Sequence, residues 1–168
     1  MKARKLTSKL VLISVVALQS LAFAATDSDT HRRSLVGLRG VHVLVEYQKP
    51  EVERVGLTEA AIQADAELKL RLAGIRVLTR NESDATLYLD AQVYHTELAV
   101  WGYEVSVEVL QDVQLIRDPA IVIPGATTWE LGSVGGAGRP ANIPEMVRNA
   151  LKDLVDRFIN AYLAMNPK

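Results

Sequence analysis

Few side chains in this sequence are equipped for chemistry, and their spacing restricts what they can do. The histidines are His31, His42 and His95. His31 sits in a polar stretch and His42 starts an extended run, which leaves His95 as the one near other useful groups. Asp90 and Glu108 fall in the same pair of alternating segments. An imidazole beside a carboxylate is an acid–base pair, so His95, Asp90 and Glu108 form the candidate set for a small hydrolase or ligand-binding protein. That reading requires their side chains to converge. Glu104, Glu108 and Asp112 recur every four residues, which on a strand is roughly 13 Å. Glycosidase pairs need about 5 to 9.5 Å, so this row reads as a solvated face.

Other catalytic and cofactor signatures fail on context. The chain has no cysteine, which removes thiolate nucleophiles, thiolate ligands and disulfides. No H-E-x-x-H motif and no His/Asp cluster has metal-ligand spacing, and no G-x-S-x-G is present, so no metal or cofactor is expected. Gly136-Ala137-Gly138-Arg139-Pro140-Ala141 matches a dinucleotide fingerprint in form. No returning parallel strand and no acid about 20 residues on accompany it, so it reads as a flexible strand-to-helix connection.

A patch without catalytic groups is more promising. Leu98, Val100, Trp101 and Tyr103 fall where two alternating segments meet, and turn residues there should be polar. Either the four form an apolar contact site at a hairpin tip, or Trp101 continues the strand into the core.

The first 24 residues give an address. Lys2, Arg4, Lys5 and Lys9 precede an apolar run from Leu10 to Leu21, and Ala22-Phe23-Ala24 supplies a small-x-small end. That order is a secretory signal, with cleavage predicted between Ala24 and Ala25. The run is short for a membrane span. Without it 144 of the 168 residues remain, the size of one domain. Subtracting the leader's four cations from 19 Lys+Arg leaves 15 against 20 Asp+Glu. An acidic product of this kind is a poor ligand for nucleic acid or anionic lipid. Lacking a cysteine to lipidate, it has no stable membrane anchor once cleaved. The expected location is the periplasm or beyond.

The elements that must position these groups are readable from periodicity. Residues 25–38 read as a flexible lead-in, and 39–168 as a single domain. Val41–Tyr47 is β-branched and reads as a strand. From Thr58 as N-cap, Ile62, Ala66, Leu70 and Ala73 make a helical stripe, widened by Leu68 and Leu72, with Gly74 as terminator. Asp65–Lys69 and Glu67–Arg71 are i,i+4 pairs on its wet side. After a short extended run at Ile75–Thr79, Ala85–Thr96 alternates, with Ala85, Leu87, Leu89, Ala91 and Val93 on one face. Tyr103–Leu115 alternates likewise. Arg117-Asp118-Pro119 reads as a turn and Thr127–Val134 as a strand, with Trp129 and Leu131 inward. Gly135–Gly138 reads as a loop. A helix then follows from an Asn142/Glu145 capping box, with Val147, Leu151, Leu154, Phe158 and Tyr162 on its apolar face. The order β-α-β-β-β-α implies an α+β two-layer sandwich, both helices on one face of a mostly antiparallel sheet.

The closing run Phe158-Ile159-Asn160-Ala161-Tyr162-Leu163, with Thr127-Thr128-Trp129 and the Gly74-Ile75 helix exit, resembles a family of uncharacterised exported bacterial proteins. The element order is more loosely similar to the lipopolysaccharide-assembly lipoprotein and the N-terminal domain of the translocation protein TolB. The first resemblance implies no activity; the looser one is to helix-on-sheet modules that bind other envelope components. Export, the α+β layer pattern, the apolar patch and the missing catalytic constellation together lead to the expectation of a non-enzymatic module that binds an envelope or periplasmic protein, by a sheet edge or the hairpin tip.

Overall fold

A 14-residue helix, α2 (Glu59–Leu72), begins where Thr58 Oγ1 accepts a hydrogen bond from the Ala61 N–H at 3.1 Å. It ends where Gly74 takes φ 78° and Ile75 N–H returns to Leu70 O, the left-handed cap that glycine adopts without strain. This helix connects strand β1 (His42–Tyr47) to β2 (Thr86–His95), and the two strands pair in parallel, Val43 beside Leu87 and Val45 beside Leu89. Parallel neighbours need such a crossover. Strands β3 (Trp101–Leu115) and β4 (Asp118–Ala137) then add antiparallel neighbours, giving the order β1-β2-β3-β4. A 23-residue helix, α3 (Ile143–Met165), closes the chain. The computed structural model describes residues 27–47, 53, 56–95, 101–137 and 140–167.

The result is an α+β two-layer sandwich. Alternation sends Leu87, Leu89, Ala91 and Val93 of β2 and Tyr103, Val105, Val107 and Val109 of β3 into the core, where α2 and α3 cover them. Trp129 and Leu131 of β4 are buried with them. Phe158 meets the Trp129 ring edge-on at 5.5 Å.

Several local expectations are corrected. Residues of the supposed lead-in form a short helix α1 (Asp29–Arg32) and a 3₁₀ turn (Arg33–Leu35). Leu35 is fully buried, and Tyr162 Oη donates to Leu38 O at 2.5 Å. Two buried leucines three residues apart, Leu35 and Leu38, dock this polar stretch together with hydrogen bonds such as that from Asn166 to Leu35 O. Leu68 and Leu72 do not widen the buried stripe of α2; they are 57% and 79% exposed. Asp65 and Lys69 do not pair with each other. They bridge to α3, Asp65 to Arg148 at 2.8 Å and Lys69 to Asp156 at 2.6 Å, while Glu67–Arg71 forms as expected. Asn142 stands at the N-cap of α3 without a side-chain capping bond.

The largest departure is in β4. Arg117 takes part in a turn, but Asp118 and Pro119 begin a strand of 20 residues. Pro119, Pro124 and Gly125 read as breakers, yet an edge strand tolerates proline because its outward N–H groups need no partner. Gly135 and Gly136 belong to the same strand. A Cβ at Gly135 would lie 2.4 Å from the Tyr103 ring, so glycine is what lets the cross-strand tyrosine lie over the backbone. β2 starts opposite Leu110, so residues 111–126 extend past it as a two-stranded arm. Ile116, Ile121, Val122 and Ile123 are exposed there.

Candidate binding site at the free edge of β4

β4 pairs with β3 on one side and has no strand neighbour on the other among the described residues. In an antiparallel ladder alternate residues of such an edge aim their N–H and C=O outward, where another chain can pair with them. Natural edges are commonly guarded by lysine, proline or a bulge. Here Pro119 and Pro124 guard the arm, and a register shift near Thr128 marks its base. From Trp129 to Ala137 there is neither proline nor lysine, and Glu130 is the one charge.

Helix α3 runs beside this unguarded stretch. Its start follows the end of β4 through the turn Pro140–Asn142, and its Phe158 lies on Trp129, so helix and strand run in opposite directions. Between them opens a cleft of about 550 Å³. Tyr103, Met146, Ala150 and Leu154 form its floor, and Ser133 and Val134 its strand wall. Asn149, Asp153 and Arg157, at i, i+4 and i+8 of α3, form the opposite rim. Burial, with the Asp153 charge adding to it, holds the Tyr103 phenol above its ordinary pKa, so it stays neutral.

One end of the cleft is braced by Asp27. Arg32 donates to both of its carboxylate oxygens at 2.7 Å, and the buried Trp129 Nε1–H donates to it at 3.0 Å. The Arg32 hydrogen bonds lower the Asp27 pKa; partial burial opposes them, and Trp129 and Arg157 reinforce them.

The groups singled out from sequence are distributed differently. Asp90 and Glu108 lie on the open face of the sheet, where Glu46–Asp90–Ser106 and Tyr88–Glu108–Glu130 form adjacent rows. His95 follows Val93 in the alternation, which puts it on the helix side, its ring 5.1 Å from that of Trp101. The strand repeat therefore separates the imidazole from both acids. Ser106 and Thr127 donate to Glu108, and Gln92 donates to Asp90. Asp90 Oδ1 is buried without a partner among the described residues. Burial raises the Asp90 pKa, with Gln92 opposing and Glu46 and Glu108 contributing; burial and Glu108 raise that of Glu130. Among the described residues no group of three His, Asp or Glu is placed to hold a metal.

Trp101 is half-buried against the core and Tyr103 is buried in the cleft floor. Leu98 and Val100 lie outside the described residues, as do Ala24, Ala25 and the whole signal region. Among the described residues no helix is long and apolar enough to cross a membrane. Sequence reasoning missed Ser133, Asn149, Asp153 and Arg157. The signal for Asn149, Asp153 and Arg157 was a polar i,i+4 stripe flanking the apolar face of α3, which has no meaning until the neighbouring strand edge is known; Ser133, on β4, carried none.

No protein-family model matches the chain, and no curated protein does. Among solved structures it is similar to a dodecamer of a PelC variant from Paraburkholderia phytofirmans. The identity is 13% and the TM-score 0.42, over 71% of this chain and 88% of that one. A likeness of that strength transfers neither fold nor activity.

Proposed function

We propose that this protein is a non-enzymatic module, exported to the periplasm or beyond, that binds a protein of the envelope by strand addition at β4. The observation that carries the reading is the unguarded edge from Trp129 to Ala137, whose middle residues Gly132, Ser133 and Val134 line the cleft beside α3. Strand addition takes its affinity from main-chain hydrogen bonds and its specificity from pockets for alternate side chains; the edge and the cleft floor offer one of each. Export rests on the basic, apolar and small-x-small order of residues 1–24.

The test places a photo-crosslinking amino acid at Val134 in tagged protein expressed in its own cells, with Leu72 on the far side of α2 as control. The expected result is one reproducible envelope partner from Val134 and none from Leu72, with a purified chain whose intact mass begins at Ala25. Equal yields from both positions, or none from Val134, would overturn the strand-addition reading. A retained leader would overturn export by cleavage.

A further inference from the structure

We infer that the segment received by β4 is read by its charge order: seen from its N-terminus it presents a polar, then a basic, then an acidic side chain at alternate positions, facing Asn149, Asp153 and Arg157. This rests on the strand-addition reading and adds what the partner must look like. Residues four apart on a helix are separated by about 6.0 Å along its axis. Alternate residues of a strand are separated by about 6.6 Å. An extended chain between β4 and α3 therefore keeps step with the rim of α3, one same-face side chain for each rim residue. Antiparallel addition is the more stable geometry, and α3 itself runs antiparallel to β4. The added strand then runs in the direction of α3, which fixes the order as polar, basic, acidic.

The rim is electrostatically unspent. Asp153 and Arg157 are exposed, and among the described residues neither closes an ion pair. Arg157 contributes to lowering the Asp27 pKa, but that carboxylate is held bidentately by Arg32, and Asp153, one turn back on α3, makes no salt bridge with Arg157. The intervening side chains of the added strand would lie beside Gly132 and Val134 on the open face, where no charge is demanded. Beneath it, Ala150 and Ser133 are small and leave room over the floor of Tyr103 and Met146.

The probe is a fluorescein-labelled peptide, Thr-Val-Gln-Val-Lys-Val-Glu-Val-Thr, compared by anisotropy with the version in which Lys and Glu are exchanged. Two further versions carry N-methyl groups on one or the other alternate set of amides. The expected result is that the first peptide binds about tenfold more tightly than the exchanged one, the scale of two rim ion pairs turned repulsive. Protein carrying both Asp153→Lys and Arg157→Glu, shown folded by circular dichroism, should invert that preference, and one N-methylated set should abolish binding. Equal binding of both peptides, still abolished by one N-methyl set, would overturn the charge order and leave strand addition standing. Binding that tolerates both N-methyl sets, or none by either peptide up to ~1 mM, would overturn both.

Discussion

Asp27 shows how much one carboxylate can organise. It pairs bidentately with Arg32 and satisfies the indole N–H of Trp129, a side chain with no exposed surface. Asp27→Ala leaves that N–H buried and unpaired, so unfolding in urea should show a loss of about 1–3 kcal/mol. Its pKa and that of Asp65 are lowered, by hydrogen bonds from Arg32 and Arg148 respectively. A folded value below the unfolded one gives stability that is present above about pH 4 and is withdrawn as pH falls through the folded values. Asp90 has the opposite sign: its raised pKa means its charge opposes folding at neutral pH. Asp90→Asn should therefore stabilise by about 0.5 kcal/mol at pH 7, because it removes a charge opposed first by its burial and then by Glu46 and Glu108, discounted for screening by solvent. The gain should fade in melts recorded as pH falls through the carboxylate range; a gain that persists unchanged there would mean that charge was not its cause. The inward place of Trp129 was readable from alternation. The place of Asp27 was not, because its partners lie 5 and 102 residues away in sequence, and a polar stretch carries no periodicity.

At the scale of elements, whatever repeats was legible. The core faces of β2 and β3 and the apolar side of α3 follow the expected residues, because burial enforces a two-residue or 3.6-residue period. Legibility failed where no burial enforces a pattern. The arm of residues 111–126 contains prolines, a glycine and exposed isoleucines; at its base Gln111 donates to Ser34 O at 3.1 Å. Beyond that base it contributes little to the fold. Replacing residues 112–125 with an Asn-Gly turn between Gln111 and Ala126, which already pair, should change stability by no more than about 0.5 kcal/mol. A loss of the cooperative urea transition would show instead that the arm belongs to the core. The spread of the apolar stripe on α2 to Leu68 and Leu72 was over-read for a related reason: leucine is a strong helix former and needs no buried face to be there.

For the molecule as a whole, the decisive unknown in the sequence was strand order. The order β-α-β-β-β-α allows several sheets, and periodicity does not say which strand ends without a neighbour. Once β1 pairs with β2 across α2, β4 is left outermost beside α3, and the cleft follows from that placement. The same architecture has a consequence in chain connectivity. Asn166 donates to Leu35 O at 2.9 Å and accepts from Gly37 N–H at 2.7 Å, so the last turn of the domain is fastened to its first. Early and late segments thus meet at one pole, making the fold close to a ring with a single seam. A ring can be opened elsewhere than at its seam, and the solvent-exposed Ile116–Arg117 turn is the natural place. By that logic the order in which these elements are encoded could be rotated while the spatial arrangement around the cleft stayed the same.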